Sequence, residues 1–312
     1  MMQEKLAVYG TGVIGACQAT LIIGHGIPVV AVGHSEQGLV RCRRTIEQNW
    51  DDLIENGLAT EKNKEAAMKL LTLTRDPAAL AGCTFVFEAV AESEETKKAV
   101  YETVCEYAAE NAVIASCSSS INADILAKLT PAPERLLIAH PFQPVHMLPL
   151  VELVMHDTTA SAVIERAKAV LEMLHRKVVT LQRSVPGFLV NRLAQALFRE
   201  SLHLIETGVT TAEDIDCAVK YAVGMRYASI GLLEYYDAVG FDLESTIAKN
   251  VYPDLCSRTD TETLVLDGLR TGKTGQAVGV GLYDWSKKDA DDFRLRKQSP
   301  YFDTVREWTL PI

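Results

Sequence analysis

Short apolar runs alternate with longer amphipathic stretches along the first 184 residues of the chain. Several of the short runs are apolar on both faces, as expected for strands buried between helix layers. The stretch 93–110 instead repeats apolar residues at three- and four-residue steps, the period of a helix. This alternation predicts an α/β fold with a doubly wound, mainly parallel sheet. The predicted strands are KLAVYG (5–10), PVVAVG (28–33), LLTLT (70–74), TFVFEAV (84–90), AVIASC (112–117), RLLIAH (135–140), LVELVM (150–155) and KVVTL (177–181).

The pattern changes at SVPGFLVNRL (184–193), beyond which strand signals almost disappear. The run 187–208 predicts a long amphipathic helix that ends at a glycine. The run 210–224 predicts a second helix, which opens with a capping box from Thr210 to Glu213 and ends at Gly224. We therefore predict an α/β domain over residues 1–184 and an all-helical domain over residues 185–312.

The composition narrows the classes of partner. The 312 residues are 48% hydrophobic and 23% charged, with a net charge of −10. An acidic chain of this kind argues against nucleic acid as the main partner, and the one basic cluster, RCRR (41–44), is typical of a solvated helix face. No apolar run reaches the ~18 residues that a membrane span needs. We therefore expect neither a nucleic acid nor a membrane as partner.

The cysteines indicate a reducing compartment. There are seven, an odd number, and none forms a C-x-x-C pair. This usage favours free thiols over disulfides or a zinc site. The opening MMQEKLAVYG enters a strand almost at once, without the pattern of a signal peptide. We expect a cytoplasmic protein with no metal.

A glycine motif follows the first predicted strand. YGTGVIG places Gly10, Gly12 and Gly15 in G-x-G-x-x-G spacing, and the next residues open a helix. The first glycine permits a tight turn, the second lets the backbone approach a pyrophosphate, and the third lets helix and strand pack closely. In this context the motif predicts a Rossmann dinucleotide-binding domain, with the three glycines, Val13 and Ile14 at the cofactor.

The end of the second predicted strand lacks the acid that usually binds the ribose of NAD. Gly33 occupies that position, His34 and Ser35 follow, and Glu36 falls in the first turn of the next helix. Without a carboxylate there, a 2′-phosphate is not repelled, and His34, Ser35 and nearby arginines could donate to it. Gly15, in contrast, is the residue usually associated with NAD sites. The sequence therefore leaves both NAD and NADP open as cofactors. It also leaves open that this corner is only solvated and that the cofactor is held elsewhere.

Three later stretches carry polar residues where chemistry could take place. ASCSSSIN (115–122) follows a strand, His140 ends one strand and Glu152 lies on the next, and Asn191 begins the long helix. Each has an ordinary structural explanation: a serine cap, a turn hydrogen bond, an edge-strand acid or a surface pair. Together, downstream of a nucleotide motif, they indicate an active site.

With these motifs the chain resembles the L-3-hydroxyacyl-CoA dehydrogenase superfamily along nearly its whole length. The matching motifs are GTGVIG, EAVAESEETK, SSS before Ile121, HPFQP…LVELV and VPGFLVNR. The resemblance implies that His140 is the general base for the substrate hydroxyl and that Glu152 orients its imidazole. It also implies that Ser119 and Asn191 hydrogen-bond the reacting oxygen.

Two further residues, Glu92 and Lys97, match family positions that contact the cofactor. The same resemblance implies a homodimer, in which the helical domain forms the interface.

Within the superfamily, the motifs favour one branch. MLPLVELV and VGMRYASIGLLE (223–234) are similar to the carnitine dehydrogenase and L-gulonate 3-dehydrogenase branch, whose members oxidise free 3-hydroxy carboxylates. Arg226 is then a candidate clamp for a substrate carboxylate, or else a residue of a helix-turn salt bridge. RTGKTGQAVGVGLYDW (270–285) instead resembles the ending of acyl-CoA members. Cys117 stands where relatives usually have Asn, which affects the expected geometry around Ser119.

The motifs therefore leave three functions open. The first is an NAD(P)-dependent dehydrogenase of a small 3-hydroxy carboxylate. The second is a 3-hydroxyacyl-CoA dehydrogenase that acts on thioesters. The third is a non-catalytic nucleotide-binding structural protein, which the complete Ser119, His140, Glu152 and Asn191 set argues against.

Overall fold

The computed structural model describes residues 4–308. The strands form one eight-stranded sheet, and every strand overlaps one of the eight predicted runs. Short buried apolar strands satisfy their backbone N–H and C=O groups by hydrogen bonds to neighbouring strands. A series of such runs therefore predicts a sheet. The strands are β1 (Leu6–Tyr9), β2 (Val29–Val32), β3 (Leu71–Thr74), β4 (Phe85–Glu88), β5 (Val113–Ser116), β6 (Leu136–Pro141), β7 (Leu150–Val154) and β8 (Lys177–Leu181).

The strand order is β3-β2-β1-β4-β5-β6-β7-β8. All neighbouring pairs are parallel except β6 and β7, which are antiparallel. The predicted doubly wound, mainly parallel sheet is thus confirmed. The order reverses between β1 and β4, and sheets of this kind bind ligands outside the carboxyl ends of the strands at such a reversal.

The chain divides into two compact units. The first runs to Leu189 and includes the chain from Arg294 onward, and the second is Val190–Phe293. The helices of the first unit are α1 (Val13–Gly24), α2 (Glu36–Glu55), α3 (Glu61–Met68), α4 (Glu94–Tyr107), α5 (Ala123–Ala127) and α6 (Ser161–Met173). Those of the second are α7 (Val190–Glu206), α8 (Ala212–Ala218), α9 (Met225–Ser229), α10 (Leu232–Val239), α11 (Phe241–Val251) and α12 (Thr263–Thr271), and α13 (Ala290–Trp308) follows.

This division differs from the predicted domains in two ways. It falls five residues after the predicted boundary at 184, and it assigns the chain from Arg294 onward to the sheet-containing unit. Phe302 and Val305 on α13 are the reason, because both are buried in the apolar core of that unit.

The core of the first unit has two layers, one on each face of the sheet. Leu6 and Val8 of β1 face the layer that contains Trp50 of α2, and Ala7 faces the layer that contains Tyr101 of α4. Alternate side chains of a strand point to opposite faces, so one strand supplies both layers. The sheet is therefore a rigid base that fixes where its strand ends lie.

The second unit is helical and has little interior of its own. Within residues 190–293, only Leu202 and Glu262 are buried. The predicted capping box and helix end are wrong. Thr211, not Thr210, caps α8 by accepting from the Asp214 backbone N–H, and the helix continues beyond Ala218 as a π-helical segment (Val219–Gly224) directly into α9.

Candidate active site

The glycine turn after β1 has the shape that a pyrophosphate requires. Gly10 has φ 121°, and a Cβ there would lie 2.3 Å from the Ala89 carbonyl oxygen. A Cβ on Gly15 would lie 1.9 Å from the Gly10 carbonyl oxygen. Gly12 instead faces open space, with nothing within 4 Å of the Cβ position, and it precedes α1 without a side-chain cap. The open approach and the uncapped amides that begin at Val13 fit a dinucleotide phosphate group.

No carboxylate lies at the carboxyl end of β2, where the residue that follows the strand is Gly33. Gly33 is buried, His34 is exposed, and Ser35 caps α2 by accepting from the Gly38 backbone N–H at 3.1 Å. Glu36 lies in the first turn of α2, as predicted, and its carboxylate is 3.6 Å from the Arg75 guanidinium, with both side chains exposed. Neutral and basic groups therefore dominate the corner, apart from the paired Glu36.

A buried ion pair lies behind the carboxyl ends of β4 and β5. The Lys97 ammonium donates to both Glu88 carboxylate oxygens, at 2.8 and 2.9 Å, and neither side chain is more than 1% exposed. The Tyr101 hydroxyl donates to the same carboxylate at 3.0 Å and the Ser116 hydroxyl at 2.6 Å. Burial and the Glu88 charge raise the pKa of Tyr101, so its hydroxyl keeps the proton that it donates.

Lys97 thus has other partners than the cofactor contact predicted for it. Besides Glu88, its ammonium lies 3.5 Å from the Glu92 carboxylate, and it is buried among these acids. The cofactor contact of Lys97 stays a prediction beside these ion pairs.

Glu92 organises the serine segment that follows β5. Its carboxylate accepts from the Ser118 hydroxyl at 3.0 and 3.1 Å, and from the Ser119 backbone N–H at 2.6 Å and hydroxyl at 3.2 Å. Burial acts to raise the pKa of Glu92. The Ser119 N–H, the Lys97 charge and the serine hydroxyls outweigh burial, and they lower that pKa below its ordinary value. An ionised Glu92 therefore fixes the exposed Ser119 at the rim of the sheet.

The structure pairs His140 with Glu152. The two residues lie directly opposite each other in the antiparallel β6–β7 ladder, and Nδ1 of His140 is 2.8 Å from Oε2 of Glu152. Glu152 is fully buried, and its other oxygen accepts from the Leu189 backbone N–H at 2.9 Å. A buried carboxylate held on both sides keeps the imidazole with its proton on Nδ1.

Aromatic side chains surround the imidazole. The ring centroids of Phe142 and Phe188 lie 4.7 and 5.5 Å from that of His140, both edge-on. Phe188 has φ 49°, in the left-handed region, so the chain turns sharply just before α7. Nε2 of His140 makes no hydrogen bond to any residue in the described part of the chain. The free nitrogen is the one that can take a proton.

The two remaining predicted residues belong to the second unit. Asn191 lies in the first turn of α7, as predicted. Arg226 lies on α9, and its guanidinium is 4.3 Å from the centre of the Tyr235 ring, an arrangement typical of a cation–π contact. Arg226 is exposed, so its guanidinium is accessible to a ligand.

Sequence reasoning missed Glu88, Tyr101 and Ser116. A buried partner of Glu88 could have been predicted, because Glu88 ends an otherwise apolar strand, FVFE, and a buried acid needs a partner. Tyr101 and Ser116 carried none, because their roles depend on contacts between separate elements.

The described residues contain neither a membrane-spanning helix nor a cluster of metal ligands. No helix within residues 4–308 is long and apolar enough to cross a membrane, and the same residues contain no cluster of three or more potential metal ligands. All seven cysteines are free.

Family models match the chain on both sides of the predicted boundary. The 3-hydroxyacyl-CoA dehydrogenase NAD binding domain matches residues 5–184, and the C-terminal domain of the same family matches residues 187–285. Together they span most of the chain, including the glycine turn, the serine segment and the His140–Glu152 pair.

Individual relatives agree with this match. An L-carnitine dehydrogenase of Staphylococcus epidermidis is 37% identical over 228 residues, which are 73% of this chain and 70% of that protein. The crystal structure of 5-formyl-3-hydroxy-2-methylpyridine 4-carboxylic acid 5-dehydrogenase, an NAD⁺-dependent dismutase, has a TM-score of 0.87 at 26% identity and covers 98% of both chains. A (S)-3-hydroxybutyryl-CoA dehydrogenase from Ralstonia eutropha has a TM-score of 0.76 at 26% identity, and the match covers 91% of this chain and all of that one.

The glycine turn suited to a pyrophosphate and both domain matches lead to the same conclusion. The chain is an NAD-dependent dehydrogenase that belongs to the 3-hydroxyacyl-CoA dehydrogenase family.

Proposed function

We propose that this enzyme oxidises the C3 hydroxyl of a small free 3-hydroxy carboxylate, with His140 as the general base. The observation that carries the proposal is the buried His140–Glu152 pair at 2.8 Å. The bond occupies Nδ1, so the lone pair of Nε2 is left to take the hydroxyl proton. As that proton arrives, the imidazole becomes positively charged, and the adjacent Glu152 carboxylate stabilises it.

Ser119 is proposed to position the reacting oxygen. In the structure its hydroxyl donates to Glu92 at 3.2 Å. On substrate binding this O–H is proposed to turn and donate to the reacting oxygen, whose own proton goes to Nε2 of His140. The Glu88–Lys97 pair supports this arrangement from behind, through the contact of Lys97 with Glu92. Asn191 is proposed as a second group for the same oxygen, on the strength of its motif alone.

A bound nicotinamide would supply the acceptor for the hydride of C3. Gly10, Gly12, Val13, Ile14 and Gly15 are proposed to hold the pyrophosphate part of the cofactor. At the ribose, Gly33 leaves the corner without a carboxylate, so we propose that NADP is accepted as well as NAD. His34 and Ser35 are the nearest candidate donors to a 2′-phosphate.

The substrate class is supported by the relatives. L-Carnitine is a free 3-hydroxy carboxylate, and the dismutase with the same fold is named for a pyridine carboxylic acid. Arg226 is proposed to bind the substrate carboxylate, because its accessible guanidinium, 4.3 Å from the centre of the Tyr235 ring, suits a bidentate pair with a carboxylate. The second candidate is a CoA thioester, which the similarity to a 3-hydroxybutyryl-CoA dehydrogenase favours.

A kinetic panel decides between the two classes. Initial rates are measured with free 3-hydroxy acids, including L-carnitine and 3-hydroxybutyrate, and with 3-hydroxybutyryl-CoA, each with NAD and with NADP. The proposal predicts the highest kcat/KM for a free acid. It also predicts that Arg226→Gln raises KM for that acid at least ~10-fold, whereas Lys220→Gln, a change at a neighbouring exposed cation, does not. Turnover of the thioester far above every free acid would refute the proposal.

A homodimer is also proposed. The second unit exposes many large apolar side chains, including Leu233 at 81% and Phe241 at 73%, and soluble monomers rarely leave so many uncovered. A second copy of the chain is the proposed partner. Light scattering should give twice the mass of 34.2 kDa. Leu233→Asp with Phe241→Asp should weaken the dimer, while Val40→Asp, at an exposed position in the first unit, should not. A wild-type monomer at every concentration tested would contradict the proposal.

A cytoplasmic location is part of the same proposal, and the free thiols support it.

A further inference from the structure

Thr11, in the middle of the glycine motif, fills the space beside Gly33. A Cβ built on Gly33 would lie 2.7 Å from Thr11 Oγ1, 2.8 Å from Thr11 Cγ2 and 2.9 Å from Leu39 Cδ2. Non-bonded carbon atoms prefer separations of about 3.5–4.0 Å. Any side chain at position 33 therefore collides with Thr11 and Leu39 unless one of them moves.

Thr11 cannot relieve the collision by rotating. Its Cβ carries Oγ1, Cγ2 and one hydrogen in three staggered positions, and two of these positions face Gly33. A rotation can place the hydrogen in only one of the two, so a heavy atom remains in the other. Leu39 is longer and more flexible, so it can give way. The rigid obstacle is Thr11.

The Thr11 hydroxyl also lies in the corner where a ribose-binding acid is usually found. Its Oγ1 is 3.2 Å from the Cβ position of Gly38, next to the Ser35 hydroxyl, which is 3.0 Å from the same point. Oγ1 makes no hydrogen bond to any residue within the described range, and Thr11 is only half-buried. An unpartnered hydroxyl that water can reach is available to a ligand.

We propose that Thr11 and Gly33 together determine the cofactor specificity of this enzyme. Thr11 excludes a carboxylate from position 33, and its neutral hydroxyl replaces that carboxylate as the group that faces the adenosine ribose. A carboxylate would repel a 2′-phosphate, but a hydroxyl can hydrogen-bond a ribose hydroxyl or a phosphate oxygen. The proposal deepens the dual use of NAD and NADP proposed above and rests on it.

The proposal predicts that the two positions are coupled. Gly33→Asp alone places a carboxylate against Thr11 and should weaken the binding of NADH and NADPH alike. Thr11→Ala with Gly33→Asp removes both obstructing Thr11 atoms, so the acid can reach the ribose. Thr11→Val with Gly33→Asp is the matched control, because valine keeps the bulk of threonine without its hydroxyl.

Binding of NADH and NADPH, measured by cofactor fluorescence, tests the proposal without any substrate. We expect Gly33→Asp to raise both Kd values at least ~10-fold. We expect Thr11→Ala/Gly33→Asp to recover NADH binding and to prefer NADH over NADPH roughly 100-fold more than the wild type does. Thr11→Val/Gly33→Asp should remain as weak as the single variant. If Gly33→Asp does not fold while the alanine double variant does, the loss of fold supports the same steric coupling.

Two results would overturn the proposal. One is a folded Gly33→Asp variant that binds NADH as tightly as the wild type. The other is equal behaviour of the alanine and valine double variants. A strict NADH preference in the wild type would contradict instead the dual cofactor use on which the proposal rests, and it would leave the steric comparison between the variants intact.

Discussion

Replacing Lys97 by methionine removes the cation from the buried pair with Glu88. Both side chains are at most 1% exposed, so water cannot compensate the carboxylate that remains. Removing one partner of a buried ion pair costs about 3–5 kcal/mol, a large share of the roughly 5–15 kcal/mol by which domains are stable. The Tyr101 and Ser116 hydroxyls still donate to Glu88, so we expect the lower end of that range.

Urea unfolding followed by circular dichroism measures the loss. Lys98→Met is the matched control, because Lys98 is exposed and its only described ion pair, with Glu102, is a 4.0 Å contact that should contribute less than about 1 kcal/mol. Glu88→Gln combined with Lys97→Met should recover part of the stability, since neither charge remains. If Lys97→Met unfolds at the wild-type urea concentration, the assignment of Lys97 and Glu88 as a stabilising pair is wrong.

Two further predictions concern the first unit. Burial and the nearby Arg176 charge lower the pKa of His146 to about 4, and burial lowers that of His25 to about 4 as well. The unfolded chain therefore binds protons near pH 6.5 that the native state does not, and stability should fall between pH 6.5 and pH 4 by up to about 3 kcal/mol per histidine. His146→Phe should reduce this pH dependence of urea unfolding, and an unchanged slope would contradict the assignment. Gly15→Ala should abolish NADH binding, because its Cβ would lie 1.9 Å from the Gly10 carbonyl oxygen, and binding within tenfold of the wild-type Kd would be inconsistent with that geometry.

The sheet could be predicted from the sequence because its signal is local. Each strand is a short buried run, and each overlaps its predicted segment. His140 and Glu152 could be placed together for a related reason: they end one strand and lie on the next, and the antiparallel β6–β7 ladder sets them opposite each other.

Features that depend on an unusual local backbone conformation or on distant contacts could not be predicted. The long helix begins at Val190, not 187, because Gly187 and Phe188 adopt positive φ in a turn that precedes it. The tail of α13 packs into the core of the first unit through Phe302 and Val305, two apolar residues in a largely polar stretch. Thr11 and Gly33 meet only when the glycine turn and the end of β2 are folded side by side.

The buried pair of Glu88 and Lys97 shows why a motif match is incomplete without the structure. The resemblance of EAVAESEETK implies a cofactor contact for Lys97, which stays a prediction, and the structure adds contacts of its ammonium with Glu88 and Glu92. Glu88, the acid that accepts both short hydrogen bonds from Lys97, is the first residue of the same motif. A charged residue inside an apolar strand is thus a signal to look for its partner before a ligand is assigned.

The turnover number of His140→Ala, measured beside its Kd for NADH, tests the central claim most directly. The claim is that Nε2 of His140 takes the substrate proton while Glu152 holds the ring through Nδ1. It predicts that kcat falls by about 10²–10⁴ while the Kd for NADH stays within about threefold of the wild-type value. A kcat within tenfold of the wild type, at unchanged NADH affinity, would contradict it.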